Sequence, residues 1–194
     1  MEGSIFIAGA GVQWLRDRMK FFKKAPETEK IVKSLDNNND IYLVPAFTGL
    51  GAPYWDANAR GVLSGITRDT SPKEIVRATI EAVAYQTFDL FEAMKHDGLR
   101  PKIVKVDGGM VMNNWFSQFL SDIVNVKVLR PKVQETTALG AAFMAGLQIG
   151  VYKSLKDISK NWHLDKKFSP KMKNKSRSML IKGWEKAVKR ALIN

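Results

Sequence analysis

The sequence contains no cysteine and only two histidines, His96 and His163. The absence of thiols excludes disulfides, thiolate zinc sites and a cysteine nucleophile, and two histidines argue against a histidine-based metal site. Long apolar runs are also lacking, since a membrane span needs about 20 apolar residues. The start of the chain has no basic region and only a short apolar stretch, so it predicts neither a signal peptide nor a membrane anchor. We therefore expect a cytoplasmic protein without a membrane partner.

Two motifs that handle nucleotide phosphates are missing as well. There is no Gly-x-x-x-x-Gly-Lys-Ser/Thr loop and no His-Arg-Asp catalytic loop. These motifs carry the chemistry of P-loop NTPases and of protein kinases, respectively. The sequence therefore excludes both of those enzyme classes.

The net charge of +12 comes almost entirely from the C-terminal part of the chain. Residues 151–194 hold 13 Lys/Arg against three Asp/Glu, whereas residues 1–150 hold 18 against 16. A basic segment binds nucleic acid best when aromatic side chains stack on the bases, but only Trp162 and Phe168 lie near the most basic stretch, residues 166–177. A solvated basic face is the favoured interpretation, and binding of nucleic acid or another anion is the alternative.

The 194 residues, of which 45% are hydrophobic and 26% charged, suffice for one globular domain with a core. Hydrophobic periodicity and turn residues predict strands and helices that alternate along the chain. The predicted strands are residues 4–8, 41–46, 61–66, 103–106 and 126–129, and the predicted helices are residues 12–22, 71–94, 113–124, 137–149 and 178–192. Residues 23–40 are predicted to be a polar linker. Such alternation indicates an α/β layer fold.

The predicted helix at residues 71–94 has the clearest boundary signals. Ser71 supplies an N-cap, Pro72 suits the first helical position, and Glu74 completes a capping box. Gly98 is placed to close the helix. Its apolar residues cover more than one stripe, so we expect it to be buried on two sides.

The predicted helix at residues 137–149 is rich in small apolar residues. Its alanines, at positions 138, 141, 142 and 145, predict close packing on neighbouring elements. It is too short to cross a bilayer.

The chain opens directly on its first predicted strand, residues 4–8, with no earlier element to pair with it. This arrangement predicts a domain that is incomplete at its N-terminal strands. We assign residues 1–194 to one domain, with a basic helical segment at about 151–194.

Two junctions have the same form, a strand followed by glycines and then a helix. Gly9 and Gln13 belong to the first junction, and Gly108, Gly109 and Asn113 belong to the second. Glycine lets a ligand approach the backbone closely, and helix N-termini present free N–H groups. In open α/β sheets ligands bind at the carboxyl ends of strands, where these turns lie. The amide side chains favour a purine or ribose over a phosphate, although each junction alone is more often just a tight turn.

Three carboxylates with turn-forming neighbours, Asp56, Asp69 and Asp107, are candidates for a general base. A turn or capping role is the favoured interpretation for each of them. Asp56 stands near Arg60, where either a structural salt bridge or an Asx turn would account for it.

Several longer stretches resemble the glycerol kinases, within the wider FGGY carbohydrate-kinase family. The similarity runs from about Glu2 to Arg190. The stretches that carry it are residues 45–61, residues 61–66 followed by 74–81, Val106-Asp107-Gly108-Gly109 with Asn113, Arg130-Pro131, residues 135–142, and Gly183-Trp184 with residues 187–190.

The resemblance implies an actin-like ATPase fold, in which two ribonuclease H-like domains close on the substrate and this chain corresponds to most of the second domain. It implies that Gly9, Gln13, Gly109 and Asn113 contact ATP, with Gly108 in the same turn. It also implies that the catalytic aspartate, the glycerol pocket, the main phosphate loops and most of the Mg²⁺ site precede this sequence. We therefore assign no catalytic or metal-binding residue here and expect the chain alone to be inactive.

The partners that the resemblance implies are ATP, glycerol and the preceding kinase half. A basic module that binds nucleic acid or another anion remains the alternative from a different class. An inactive product of a split kinase gene is a further alternative. A sheet edge left free by missing strands could also make the chain a homo-oligomer.

Overall fold

The computed structural model describes residues 5–192 of the chain. The structure alternates helices and strands, with one short 3₁₀ turn before α4. In chain order the elements are α1 (Gly9–Asp17), α2 (Glu27–Lys33), β1 (Tyr42–Val44), β2 (Val62–Ser64), α3 (Pro72–His96), β3 (Ile103–Lys105), the 3₁₀ turn (Gly109–Met112), α4 (Asn114–Val124), β4 (Lys127–Pro131), α5 (Thr136–Gln148), α6 (Leu155–Ser159), β5 (Leu164–Phe168) and α7 (Asn174–Ala191). The predicted α/β class is confirmed.

Helix α3 lies at the centre of the fold, and its predicted start is confirmed. The Ser71 hydroxyl accepts a hydrogen bond from the Lys73 N–H, and the Glu74 carboxylate accepts one from the Ser71 N–H. This reciprocal capping box satisfies N–H groups that have no partner inside the helix. Gly98 has a φ of +87° just beyond the last turn, as expected for a helix-closing glycine. Helices α1, α2 and α4 and strand β1 pack around α3, which is therefore buried on more than one side.

Two small sheets flank these helices. Strands β1 and β2 form an antiparallel pair. Strands β3, β4 and β5 form the second sheet in that order, with β3 parallel and β5 antiparallel to β4. Val104 of β3 lies opposite Val128 of β4, which in turn lies opposite Phe168 of β5. Val128 and Phe168 are buried, so this face of the sheet joins the core.

The centre of the core is aromatic. Tyr85 of α3 stacks on Trp184 of α7 with their ring centroids 5.3 Å apart, and it meets Phe119 of α4 edge-on at 5.6 Å. Trp184 has no exposed surface. These contacts join α7 to α3 and α4, so the C-terminal helix is an integral part of the fold.

The predicted first strand is wrong. Its first residue, Ser4, lies outside the described residues, and Ile5–Ala8 do not form a strand. A strand needs a neighbour for its backbone hydrogen bonds, and no strand lies beside this segment among residues 5–192. The Ile7 carbonyl instead accepts a hydrogen bond from the Gln86 side chain at 3.2 Å. The following helix α1 begins three residues earlier than the predicted 12–22.

Two other regions hold elements that the sequence did not predict. The supposed linker at 23–40 contains α2, and residues 150–170 contain α6 and β5. Both helices are short, with seven and five residues, so their periodicity is too brief to read in the sequence. Helix α7 also begins earlier than predicted, at Asn174 rather than residue 178.

Among residues 5–192, no helix or strand packs closely on α5, contrary to the expectation from its alanines. Only Gly146 is buried within it, and Met144 is 52% exposed. Phe143 of this helix forms an edge-on pair with Tyr152, with the ring centroids 5.5 Å apart. Within the described residues, no helix has both the length and the apolar character that a membrane crossing requires.

Candidate nucleotide-binding site

A cavity of about 410 Å³ lies where α1, α2, the 3₁₀ turn and the N-terminal end of α4 meet. Four of the residues predicted to contact a nucleotide line it, namely Gly9, Gln13, Gly109 and Asn113. They come from two junctions that are distant in sequence and that the fold brings together. The volume lies within the range of small-molecule sites, roughly 300–1,000 Å³.

Gly9 and Gly109 present bare backbone to this cavity. A Cβ atom added at either position would meet no other heavy atom within 4 Å. Neither residue has a positive φ, so the backbone conformation does not require glycine there. The open space at both positions gives a ligand room to approach the main chain closely.

Gly108 is placed differently from the other four predicted residues. It does not line the cavity. Its φ of +82° lies in the left-handed region that favours glycine, and its N–H donates to the Gln134 carbonyl at 3.2 Å. The structure therefore gives Gly108 a turn-forming role, in which it positions the neighbouring Gly109.

Helix α1 begins at the cavity without a capping side chain. Ala8 occupies the N-cap position and makes no side-chain hydrogen bond to the first turn. The first N–H groups of a helix have no partner inside the helix. Among residues 5–192, no group accepts a hydrogen bond from the N–H of Gly9 or of Ala10, so a polar group of a ligand could bind both. Gln13, one turn further on, is exposed.

Asn113 joins two walls of the cavity. Its Oδ1 accepts a hydrogen bond from the Phe116 N–H at 3.0 Å and so caps α4. Its Nδ2 donates to the Thr28 hydroxyl of α2 at 3.4 Å. The amide group has a second N–H that these two bonds do not use. Asn113 is thus held in place by the protein while it retains one donor for a ligand.

The charged groups of the cavity are mostly paired at its rim. The Arg16 guanidinium is bound by Asp17 at 2.7 Å, and the Lys33 ammonium lies 2.5 Å from Glu29. Partial burial acts to raise the pKa of Glu29, but Lys33 and Asn114 outweigh it and hold that pKa below its ordinary value. Glu29 is therefore ionised at neutral pH. With the charges of Arg16 and Glu29 both paired, the cavity carries little net charge and has a mostly apolar lining, which suits a nucleoside better than a phosphate chain.

Several residues of the cavity were missed by sequence reasoning because they lie in the region taken for a linker or between the motifs. The missed lining residues are Ala25, Pro26, Thr28 and Glu29 around α2, Val12 and Arg16 of α1, Ile80 of α3, and Met110 and Met112 of the 3₁₀ turn. A weak signal was present for α2, since Pro26 precedes it and Glu29 and Lys33 are spaced for a helical ion pair.

A larger cavity of about 900 Å³ lies between the turn at residues 36–40, α3, α4 and α7. None of the predicted site residues lines it. Its most distinctive wall residue is Arg77, whose guanidinium is already bound by Glu81 at 2.7 Å and by the Leu35 carbonyl at 2.6 Å. A cation with its donors so engaged is poorly placed to bind a ligand, so the smaller cavity is the better candidate.

The three carboxylates considered as general bases have structural surroundings. Asp56 accepts hydrogen bonds from the N–H groups of Asn58 and Ala59, which confirms the Asx-turn alternative over a salt bridge to Arg60. Asp107 accepts a hydrogen bond from the Thr136 hydroxyl at the start of α5. Asp69 is exposed at the turn before α3. None of the three lines the 410 Å³ cavity.

The aromatic residues of the basic segment are not free to stack on bases. Phe168 is 4% exposed and belongs to the core. The Lys105 ammonium covers one face of Trp162, 4.2 Å from the ring centroid. These placements weaken the nucleic-acid alternative, because sequence-independent binding of single strands relies on accessible aromatic faces.

Comparison with known proteins points to one family. The model of the C-terminal domain of the FGGY family of carbohydrate kinases matches residues 1–149. Glycerol kinase 1 of Pseudomonas aeruginosa is 56% identical over 190 residues, and a glycerol kinase of Thermoanaerobacter pseudethanolicus is 52% identical over 193 residues. These matches cover 98% and 99% of the chain but only 38% and 39% of the two relatives.

Solved structures agree with the sequence matches. The crystal structure of Plasmodium falciparum glycerol kinase with ADP superposes with a TM-score of 0.87 at 38% identity, covering 99% of this chain and 38% of that one. A xylulose kinase of Lactobacillus acidophilus shares the fold, with a TM-score of 0.78 at 24% identity. The predicted actin-like ATPase fold of sugar kinases is thereby confirmed. The chain belongs to the FGGY family of carbohydrate kinases, of which it represents a C-terminal part.

Proposed function

We propose that this chain forms the nucleotide-binding side of a glycerol kinase and binds the adenosine portion of ATP in the 410 Å³ cavity. The observation that carries the proposal is that Gly9, Gln13, Gly109 and Asn113 converge on one cavity. Further support comes from the two curated relatives, which are glycerol kinases. The similar Plasmodium falciparum glycerol kinase was crystallised with ADP.

Each residue of the cavity has a distinct role in this proposal. The bare backbone at Gly9 and Gly109 admits the nucleoside to van der Waals contact, and a side chain there would occupy its space. The free N–H of Asn113 and the amide of Gln13 donate to ring nitrogens or ribose hydroxyls. Val12 and Met110, which line the cavity and are half-buried, supply apolar surface for the base.

In the whole kinase, the γ-phosphoryl group of ATP would be transferred to a terminal hydroxyl of glycerol. Such transfers depend on positioning of the two reactants and on stabilisation of the charge on the moving group. We propose that the general base, the glycerol pocket and the phosphate loops belong to the kinase portion that this chain does not span. The role of this chain is to hold the nucleotide in place. We place this reaction in the cytoplasm, where ATP is formed and consumed.

The described residues of this chain do not form a binding site for Mg²⁺. Within residues 5–192 there is no group of three His, Asp or Glu side chains that could hold a metal ion. The one carboxylate that lines the cavity, Glu29, is bound to Lys33. The residues therefore do not fit a resident Mg²⁺, and an ion that accompanies ATP would be bound by the phosphates and by groups elsewhere in the kinase.

The domain assignment to residues 1–194 is part of the proposal, since the family model ends at residue 149. It is supported by α7, whose Trp184 is fully buried against α3. We infer that the basic segment at 151–194 is a stabilising extension of the nucleotide-binding domain.

A binding titration tests the proposal directly. Calorimetry with ATP, ADP and adenosine should detect binding of all three ligands to the 194-residue chain. The variant Gly109→Val should weaken ATP affinity by about tenfold or more, which corresponds to about 1.4 kcal/mol. The matched control is Gly140→Val, because a Cβ there also meets no atom within 4 Å but lies outside the cavity. Equal affinity of both variants and the wild type would contradict the proposal.

A turnover assay tests the part of the proposal that places the general base outside this chain. The chain mixed with ATP, Mg²⁺ and glycerol should give no glycerol 3-phosphate, because the general base lies outside it in this proposal. Glycerol phosphorylation by the purified chain would show that the catalytic machinery has been placed wrongly.

A further inference from the structure

Thr28 is a buried residue in the wall of the 410 Å³ cavity. It lies in the first turn of α2 and is 4% exposed. Its hydroxyl donates a hydrogen bond to the Ala25 carbonyl at 2.7 Å. A hydroxyl group has a single hydrogen to donate. Towards any other neighbour, the Thr28 oxygen therefore acts only as an acceptor.

Asn113 lies between this acceptor and a donor whose polarity is equally fixed. Its Nδ2 donates to the Thr28 oxygen at 3.4 Å, and its Oδ1 accepts from the Phe116 N–H at 3.0 Å. A backbone N–H can only donate. Each of the two neighbours thus specifies one end of the Asn113 amide.

The reversed orientation of this amide is unfavourable at both ends. It would place Nδ2 against the Phe116 N–H and Oδ1 against the lone pairs of the Thr28 oxygen. Polar groups that face a group of their own kind lose their hydrogen bonds, which costs free energy in a protected site. The oxygen and the nitrogen of an amide otherwise occupy the same space, so shape alone does not select the orientation. The hydrogen bonds to Thr28 and Phe116 select it.

Helix α2, which carries Thr28, is anchored in the domain. Val32, one turn after Thr28, has no exposed surface, and α2 packs on α3 and α4. The Leu35 carbonyl, just beyond α2, accepts a hydrogen bond from the Arg77 guanidinium of α3 at 2.6 Å. The Thr28 oxygen is therefore held at a defined position beside Asn113, the N-cap of α4.

We propose that Thr28 is a positioning residue of the nucleotide site, whose hydroxyl holds Asn113 with its unused N–H available to the nucleoside. The inference rests on the proposed function and deepens it. It specifies that Asn113 recognises a hydrogen-bond acceptor of the nucleoside, such as a ring nitrogen or a ribose oxygen, through a donor that α2 keeps in place. Helix α2 thereby takes part in nucleotide recognition.

Direct contact between Thr28 and the nucleotide is the competing explanation, since Thr28 also lines the cavity. The two explanations differ in their dependence on Asn113. A positioning residue acts only while the amide that it positions is present. A direct contact would contribute to affinity whichever residue stands at position 113.

Calorimetric titration of the 194-residue chain with ATP is the first measurement. Thr28→Val removes the hydroxyl and keeps the branched shape, and it should weaken ATP affinity by about three- to tenfold, as expected for one hydrogen bond. Thr28→Ser keeps the hydroxyl and should stay within about twofold of the wild type. Unchanged affinity in Thr28→Val would overturn the proposal, and so would an equal loss in Thr28→Ser.

Thr87→Val is the matched control. The Thr87 hydroxyl also donates to a backbone carbonyl of its own helix, that of Val83 at 2.7 Å, and Thr87 does not line the cavity. This variant should bind ATP as the wild type does. A loss as large as that in Thr28→Val would overturn the proposal, because it would show that removal of any such hydroxyl weakens binding.

A double-mutant cycle with Asn113→Ser separates positioning from direct contact. Serine at position 113 lacks the amide that Thr28 positions, so Thr28→Val should cause no further loss of ATP affinity in that background. The same fold-loss in both backgrounds would overturn the positioning role. Urea unfolding of each variant shows whether a change in stability accompanies the change in affinity.

NMR of the nucleotide-free chain measures the hold of Thr28 on Asn113 directly. The side-chain amide signals of Asn113 are assigned by their absence in Asn113→Ser. Their hydrogen exchange with water should be faster in Thr28→Val than in the wild type and in Thr28→Ser. Because this measurement needs no nucleotide, the two proposals fail separately. A wild-type chain that binds no ATP refutes the proposed function, whereas unchanged exchange in Thr28→Val refutes the positioning role of Thr28.

Discussion

The indole N–H of Trp184 donates a hydrogen bond to the Asp89 carboxylate at 2.7 Å in the interior of the protein. The same carboxylate oxygen accepts a hydrogen bond from the Tyr54 hydroxyl at 2.9 Å. Asp89 therefore joins three parts of the chain, because it belongs to α3, Trp184 to α7 and Tyr54 to the loop between β1 and β2. This carboxylate is 8% exposed.

Burial raises the pKa of Asp89 from 3.8 to about 6, although the hydrogen bonds from Trp184 and Tyr54 act in the opposite direction. A carboxyl group whose pKa is higher in the folded state prefers to fold in its neutral form. Its contribution to stability is thus complete below about pH 4 and is lost as the pH rises through 6. A shift of about two pKa units corresponds to about 3 kcal/mol.

We predict that Asp89→Asn removes this pH dependence. Asparagine is neutral at every pH and keeps a carbonyl oxygen that accepts from Trp184 and Tyr54. The free energy of unfolding of the variant, relative to the wild type, should therefore rise by about 3 kcal/mol between pH 4 and pH 7. Urea unfolding at a series of pH values measures this difference.

The control for this experiment is Asp69→Asn, which removes a carboxylate from an exposed turn. Its unfolding free energy should follow that of the wild type at every pH. A constant difference between Asp89→Asn and the wild type from pH 4 to pH 7 would refute the assignment of the pH dependence to Asp89.

A second prediction concerns the buried ion pair of α3. Glu81 has no exposed surface, and its carboxylate is bound by Arg77 at 2.7 Å and by the Tyr85 hydroxyl at 3.0 Å. Burial raises the pKa of Glu81, and the Arg77 charge opposes that shift. We predict that Arg77→Met destabilises the protein by about 3–5 kcal/mol at neutral pH, because it leaves a buried charge without its partner.

The double variant Arg77→Met/Glu81→Gln tests the cause of that loss. Glu81→Gln removes the unpaired buried charge and keeps an oxygen that accepts a hydrogen bond from the Tyr85 hydroxyl. The double variant should therefore be more stable than the single variant Arg77→Met. Thermal unfolding of the wild type, both single variants and the double variant completes the cycle. Additive effects would show that the loss in Arg77→Met comes from packing rather than from the charge of Glu81.

The sequence was informative where a local rule determines the structure. Ser71, Glu74 and Gly98 delimit α3 through capping chemistry that acts within a few residues, and the prediction was accurate to about one turn. The two glycine junctions could likewise be read as ligand-facing turns, and four of their five named residues line one cavity.

Tertiary relationships could not be read in the same way. Helix α2 is too short for its periodicity to stand out, yet Thr28 forms one wall of the cavity by bonding to Asn113. The alanines of α5 suggested close packing, but small side chains permit a partner without supplying one. The strand predicted at residues 4–8 contains β-forming residues. Ile5–Ala8 nevertheless form no strand, because no other strand lies beside them among the described residues.

A third prediction separates the two roles of Asn113. Serine is also a good N-cap, so Asn113→Ser should keep the hydrogen bond to the Phe116 N–H and change the unfolding free energy by less than about 1 kcal/mol. It lacks the amide N–H groups, however, and should bind ATP more weakly than the wild type. Asn113→Ala should lose both functions. Calorimetric titration and urea unfolding of the two variants measure these effects, and unchanged ATP affinity in Asn113→Ser would assign Asn113 to capping alone.

A fourth prediction contrasts two glycines that both lie inside helices. Exchange of glycine for alanine within a helix normally stabilises it by roughly 0.5–1 kcal/mol. At Gly140 of α5 an added Cβ meets nothing within 4 Å, so Gly140→Ala should stabilise the chain by about that amount. At Gly183 of α7 the added Cβ would overlap the ring of Tyr42, so Gly183→Ala should instead destabilise it by about 1–3 kcal/mol. The variant Tyr42→Ala should lose less stability on the further change Gly183→Ala than the wild type does, because the overlap is gone. Thermal unfolding of these variants measures the changes in stability. If the single variant Gly183→Ala were more stable than the wild type, α7 would not pack as closely on β1 as the structure shows.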